Sequence, residues 1–112
     1  VKGAGNPPGI YTGLYPGVQV EVTSDRGVRR VGDDALSGSA LTQLRAFQNA
    51  VLKWGRSIPE ASALCSRTAA RLLNLSTKGY LAPGMDADLI LLDKELELKA
   101  TITGGIAAYQ AR

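Results

Sequence analysis

The sequence predicts an α+β fold in which a β-hairpin, two helices and a C-terminal β-meander follow one another. Three observations carry that prediction. "VQVEVT" (residues 18–23) alternates apolar and polar side chains with a period of two. From Leu41 onward apolar residues recur every three or four positions, the period of an amphipathic helix. After Asp88 the alternation returns, and Gly104-Gly105 stands between two apolar arms as a hairpin turn.

The opening "VKGAGNPPGIYTGLYPG" is too rich in Gly and Pro for a helix and reads as a loop. "SDRG" then turns the chain from the first strand into "VRRV" (residues 28–31), the second arm of the hairpin. "DDALSGSALT" follows, with Ser39 as the expected N-cap of the first helix and Gly55 as its stop. Leu41, Leu44, Phe47, Val51 and Trp54 form that helix's apolar stripe. The second helix opens on "SIPE", where Ser57 and Glu60 stand in capping-box register and Pro59 sits in the first turn. Ala61, Leu64, Cys65, Ala69, Leu72 and Leu73 are its expected buried face. "LILLD" (residues 89–93) is a continuous apolar run, expected as a strand covered on both faces. Leu96, Leu98, Ala100 and Ile102 alternate along the next strand, and "IAAY" closes the meander.

Composition excludes several functions. With 112 residues the chain supports one modest core, and a net charge of +3 is too small for a dedicated nucleic-acid surface. Arg26, Arg29 and Arg30 cluster, but Asp25, Asp33 and Asp34 flank them. No apolar run reaches membrane-spanning length. The lone Cys65 cannot form an internal disulfide and fits a reducing, cytoplasmic setting, where it reads as a small buried hydrophobe. Met85 and Trp54 read as packing residues. The chain opens on Val1 and its single methionine is Met85, so it reads as part of something longer.

The absence of histidine decides most of the chemistry. Ser37 and Ser39 have no evident base to activate them, so capping explains them better than nucleophilic attack. Asp86 and Asp88 in "GMDAD" lack calcium-loop spacing, and transition-metal catalysis would want imidazole ligands. Gly3 and Gly5 are no nucleotide fingerprint, because no strand precedes them and Pro7-Pro8 blocks a helix. One candidate survives. The backbone of Leu36, Ser37, Gly38 and Ser39 is small enough for a ligand to approach, and it stands equally well as a simple helix start.

"KGYLAPGMDADLILLD" (residues 78–93) resembles the segment that closes many amidohydrolase-superfamily chains. "LSGSALT", the helix with Asn49, and "SIPEASALCSRTAARLLNL" are similar, more narrowly, to the N-acetylglucosamine-6-phosphate deacetylases. The resemblance implies a (β/α)₈ barrel with a small β-sandwich, residues 1–77 forming the end of the barrel and residues 78–112 strands of the sandwich. It implies a cytoplasmic enzyme that uses a divalent metal, zinc or similar, to hydrolyse the acetamide of a phosphorylated amino sugar. Separately, the apolar stripe from Leu41 to Trp54 and the open strands 89–93 and 96–103 are expected to be covered by self-association into a homo-oligomer. The metal ligands and the proton-transferring aspartate are expected upstream of Val1, with Leu36, Ser37 and Gly38 touching the sugar. Two rivals stand beside it: another amidohydrolase acting on a different amide, a cyclic amide or a base, and an autonomous α+β interaction module.

Lacking histidine, the purified 112-residue chain is expected to release no acetate from N-acetylglucosamine 6-phosphate, with or without added Zn²⁺. A coupled acetate assay checks this, and metal-dependent turnover would contradict it.

Overall fold

The computed structural model describes residues 5–25 and 27–111. Gly3 and Arg26, singled out above, lie outside them. Two compact units divide between Ala46 and Phe47.

The N-terminal unit holds one antiparallel sheet in the order β1-β2-β3-β4, with β1 Gly9–Thr12, β2 Gln19–Thr23, β3 Gly27–Arg30 and β4 Leu36–Gly38. The predicted hairpin is β2–β3. The opening stretch is more than a loop, since Ile10, Tyr11 and Thr12 are strand formers and pair with Glu21, Val20 and Gln19. Pro7 and Pro8 precede β1 and Pro16 follows it, so none of the three removes a donor from the ladder. Val20, Val22 and Val28 form the core, with Tyr11, Val18 and Ala40 packed on it. The Tyr11 hydroxyl donates to the Pro7 carbonyl at 2.8 Å.

Helix α1 (Gln43–Leu52) begins four residues later than Ser39. The cap is Thr42, whose Oγ1 accepts the Arg45 amide at 3.2 Å and whose carbonyl takes the first helical bond from Ala46. The Ser39 hydroxyl instead accepts the Leu41 amide at 3.0 Å, a local turn. Gly55 does end the run, with φ +63°. Phe47 is buried and Leu44 and Val51 are half-buried, whereas Leu41 and Trp54 are exposed, Trp54 by 67%. Trp54 is therefore no packing residue in this chain.

The second helix starts as predicted. In α2 (Ile58–Ser62) the Ser57 amide donates to Glu60 Oε2 at 2.8 Å, and the Glu60 amide donates back to Ser57 Oγ. A π-helical turn, Ala63–Arg67, then leads into α3 (Thr68–Leu72). That turn inserts one residue, so the inward positions run Ala61, Cys65, Ala70 rather than Ala61, Cys65, Ala69. Ala69, Leu64, Leu72 and Leu73 consequently face outward, Leu72 by 82%. A Schellman closure ends α3: Asn74 takes φ +55°, its amide reaches the Arg71 carbonyl, and the Leu75 amide reaches the Ala70 carbonyl at 2.8 Å.

The meander forms a second sheet, with β5 Leu89–Leu92, β6 Leu98–Thr103 and β7 Ile106–Gln110 in sequence order. Gly104 and Gly105 take φ +57° and +80°, the pair of left-handed residues a tight hairpin requires. Two expectations fail here. β5 is not covered on both faces, because Ile90 and Leu91 are exposed. Leu96 is not on β6 but in the turn before it, at φ +64° and only 7% exposed.

Leu96 plugs the core of the C-terminal unit against Phe47, Ala50 and Ala61, with Val51, Cys65 and Leu92 around them. A left-handed leucine costs about 1–2 kcal/mol. Burying its side chain returns about 1.5–3 kcal/mol. The buried Gln48 amide also donates to the Leu96 carbonyl at 3.0 Å, and the Leu96 amide donates to the Asp93 carbonyl at 3.0 Å.

Leu96→Ala is expected to destabilise the C-terminal unit by about 2–4 kcal/mol, since it empties this pocket and keeps the strained backbone. Urea unfolding followed by Trp54 fluorescence measures it. A loss below about 0.5 kcal/mol would mean that the plug is not structural.

Candidate functional site

Leu36, Ser37 and Gly38 form β4, the edge strand of the four-stranded sheet, and not a loop at a helix N-terminus. A turn of Val31, Gly32, Asp33 and Asp34 delivers the chain to it. The Arg30 amide donates to the Ala35 carbonyl at 2.8 Å, and the Asp34 amide donates to the Arg30 carbonyl at 3.1 Å. Gly32 takes φ +108° and Asp34 φ +53°; Asp is among the few side chains that tolerate the latter.

Register along β4 is interrupted. Arg29 faces Leu36 and Val28 faces Gly38, so Ser37 is an inserted residue without a partner position on β3. A bulge of this kind on an edge strand turns backbone groups outward. Cross-strand pairing places Leu36 in one row with Ile10, Glu21 and Arg29, and Gly38 in the row of Val22 and Val28. Leu36 is 71% exposed, Ser37 is exposed and Gly38 half-buried. Gly38 has φ +152°, which side-chain-bearing residues seldom adopt. The arrangement is a short strand at the sheet's edge, with no strand paired to its outer side among the described residues.

Arg30 and Asp33 brace the turn. Arg30 Nε donates to Asp33 Oδ1 at 2.9 Å, and Nη2 pairs with Oδ2 in a two-pronged fork. The Ala35 amide also donates to Asp33 Oδ1, at 3.2 Å. These bonds, the Arg30 fork first, hold the Asp33 carboxyl down to about 2. Arg29 adds a second tie, Nη1 donating to the Asp34 carbonyl at 3.0 Å. In sequence these arginines and aspartates form a mixed surface cluster; the signal for the brace is the Arg30–Asp33 spacing around Gly32. A shallow concavity of about 490 Å³ lies at this turn, lined by Ile10, Glu21, Arg30, Asp33 and Asp34 among others.

The acidic pair of "GMDAD" is structural. Lys78 Nζ pairs with Asp86 Oδ2 at 2.8 Å and also with Asp88. The Thr77 hydroxyl donates to Asp86 at 3.1 Å, and the Gly104 amide donates to Asp88 Oδ1 at 2.8 Å. Lys78 lowers both carboxyls, helped by Thr77 at Asp86 and by the Gly104 amide at Asp88, and they in turn raise Lys78. This network fastens the β6–β7 turn to the segment before β5. Among the described residues no three His, Cys, Asp or Glu side chains are grouped to hold a metal ion. No helix among them is long and apolar enough to cross a membrane. Cys65 is half-buried against the Phe47–Leu96 core.

Residues 14–109 match the amidohydrolase family in sequence. An N-acetylglucosamine-6-phosphate deacetylase of Lysinibacillus sphaericus is 32% identical over 105 residues, which are 94% of this chain and 26% of that protein. The crystal structure of N-acetylglucosamine-6-phosphate deacetylase from Thermotoga maritima matches with a TM-score of 0.82 at 32% identity, over 99% of this chain and 30% of that one. An allantoinase of Salmonella newport is 41% identical over 49 residues, 44% of this chain and 11% of that protein. The chain thus spans about a quarter of the length of the curated deacetylases it matches.

Because the Asp33 carboxyl is lowered on folding, its contribution is present above the usual aspartate range and is lost as pH falls through about 2. The side-chain carbonyl carbon of Asp33 is expected to titrate near that lower value. Arg30→Ala is expected to move the midpoint up toward the ordinary range. Carbon-detected NMR titration checks both, and an ordinary midpoint in the unsubstituted chain would contradict the brace.

Proposed function

The chain belongs to the amidohydrolase family, and from that premise we propose that it is the C-terminal portion of an enzyme that deacetylates N-acetylglucosamine 6-phosphate to glucosamine 6-phosphate and acetate. The observation that carries this reading is the extent of the likeness. Deacetylases of this substrate match the chain over nearly all its length, in sequence and in fold. On this reading residues 1–77 belong to the end of a (β/α)₈ barrel and residues 78–112 to a small β-sandwich. The protein is cytoplasmic and assembles with copies of itself.

Within the enzyme, Leu36, Ser37 and Gly38 form a wall against which the sugar rests, mainly through backbone groups. Three features support that role: the exposed edge of β4, the bulge at Ser37 and the missing side chain at Gly38. A divalent metal does not fit this chain's own residues. The sequence has no histidine, and the Asp86 and Asp88 carboxylates are spent on Lys78, Thr77 and Gly104. The ion therefore belongs with residues outside this chain.

A cyclic-amide hydrolase is the second reading, favoured by the higher identity of the allantoinase. That likeness accounts for less than half of the chain, against nearly all of it for the deacetylases. The reading frame upstream of Val1 separates the two when expressed with this chain and assayed on both substrates. Acetate release from the phosphorylated amino sugar supports the first reading, and ring opening of allantoin without it supports the second.

In that complete enzyme, Gly38→Val is expected to raise KM for the sugar phosphate about tenfold or more while metal content stays at the wild-type level. The β-branched side chain meets a backbone conformation it rarely adopts and fills the approach to the strand. Steady-state kinetics with metal analysis reads this, and unchanged KM and kcat would remove the sugar-contact role.

A further inference from the structure

We propose that Asp33 is a positioning residue for the sugar-contact strand, holding Leu36, Ser37 and Gly38 in their bulged register through Arg30 and the Ala35 amide. The inference rests on the function proposed above, and adds to it a residue that does not itself touch the sugar.

The geometry points to Asp33 because β4 has little of its own to fix it. It is three residues long, pairs with β3 among the described residues at Leu36 and Gly38, and carries the inserted Ser37 between them. A ladder this short opens readily, and no other strand among the described residues pairs with its outer side. The turn before it therefore sets where it lies. That turn passes through Gly32 and Asp34 at positive φ, which both residue types tolerate, so its cross-links rather than backbone strain hold its shape.

Asp33 supplies the support from both ends. Its carboxylate takes the Arg30 fork at the last residue of β3 and the Ala35 amide one residue before β4. The same two residues make the backbone bond that closes the turn, from the Arg30 amide to the Ala35 carbonyl. One side chain thus cross-links the end of one strand to the start of the next. Without it the Arg30–Ala35 and Asp34–Arg30 backbone bonds and the Arg29 tie to the Asp34 carbonyl remain, but no side chain joins the end of β3 to the Ala35 amide, and the bulge is freer to migrate by one residue. Such a shift exchanges which side chains lie on each face and withdraws the Ser37 backbone from the ligand.

The test uses the complete enzyme that carries this chain, with Asp33→Ala and Asp33→Asn. Asparagine keeps an oxygen that accepts the Ala35 amide and one Arg30 donor; alanine keeps neither. Asp33→Ala is expected to raise KM for N-acetylglucosamine 6-phosphate about fivefold or more, with kcat within about twofold, while Asp33→Asn stays within about twofold in both. Amide hydrogen exchange of the ligand-free enzyme is the second readout. Asp33→Ala is expected to speed exchange in a peptide spanning residues 35–38 about tenfold, leaving peptides of the β5–β7 sheet unchanged. Unchanged exchange in Asp33→Ala overturns the proposal, as does a rise in KM that Asp33→Asn shares in full. Should the wild-type enzyme fail to turn over the phosphorylated sugar, the proposed function falls, and exchange alone decides the role of Asp33.

Discussion

The C-terminal unit depends on one buried contact, the insertion of Leu96 among Phe47, Ala50 and Ala61. The turn that presents Leu96 is built from the Asp93 side chain, whose Oδ1 accepts the amides of Glu95 and Glu97 at 3.1 and 2.8 Å. Lys99 pairs with the other carboxylate oxygen at 2.8 Å and ties the turn to β6. Gln48, itself buried, closes the arrangement from the helical side by donating to the Leu96 carbonyl. Among the described residues no buried side-chain nitrogen or oxygen lacks a partner, and both backbone groups of Leu96 are bonded, which lets a bulky residue remain in the left-handed region.

The inward positions of the helical segment are all small. Ala61 and Cys65 pack at the Leu96 core, and Ala70 is buried beside Gly79; all three are small residues that let chains approach closely. Gly79 exploits this approach: a Cβ there would lie 2.7 Å from Arg67 Cα and 3.2 Å from Ala70 Cβ. A glycine at that site therefore has a steric cause, in addition to its φ of +96°. The larger apolar residues of the helix, Leu64, Leu72 and Leu73, are left facing out. So are Ile106 and Tyr109 on β7, whose residues are all exposed. Exposed apolar side chains in this number are more than a monomer's surface ordinarily carries, in a chain that spans about a quarter of the length of the deacetylases it matches.

At the candidate site, the chemistry of the residues was legible and their conformation was not. Leu36, Ser37 and Gly38 stand out as a small, flexible stretch between polar aspartates and an amphipathic helix. A three-residue strand with a bulge leaves no periodic signature, because alternation needs more residues than it contains. The brace is equally hidden. Arg30 and Asp33 read as neighbouring surface charges until the turn brings the guanidinium and carboxylate into a fork around Gly32.

Local chemistry by itself determined the elements whose signals are short-range. The capping box at Ser57 and Glu60, the Gly55 stop, the Gly104-Gly105 turn and the alternation of the β2–β3 hairpin all depend on residues within a few positions of one another. Tertiary structure decided what depends on partners distant in sequence. β1 became a strand because β2 offered its free edge, and Leu96 left β6 because the helices offered a pocket. The π-helical turn moved the inward position from Ala69 to Ala70, where Gly79 packs from outside the helix. In each case burial of a side chain or satisfaction of a backbone group, worth about 1–3 kcal/mol, exceeds the few tenths by which local preference separates the alternatives.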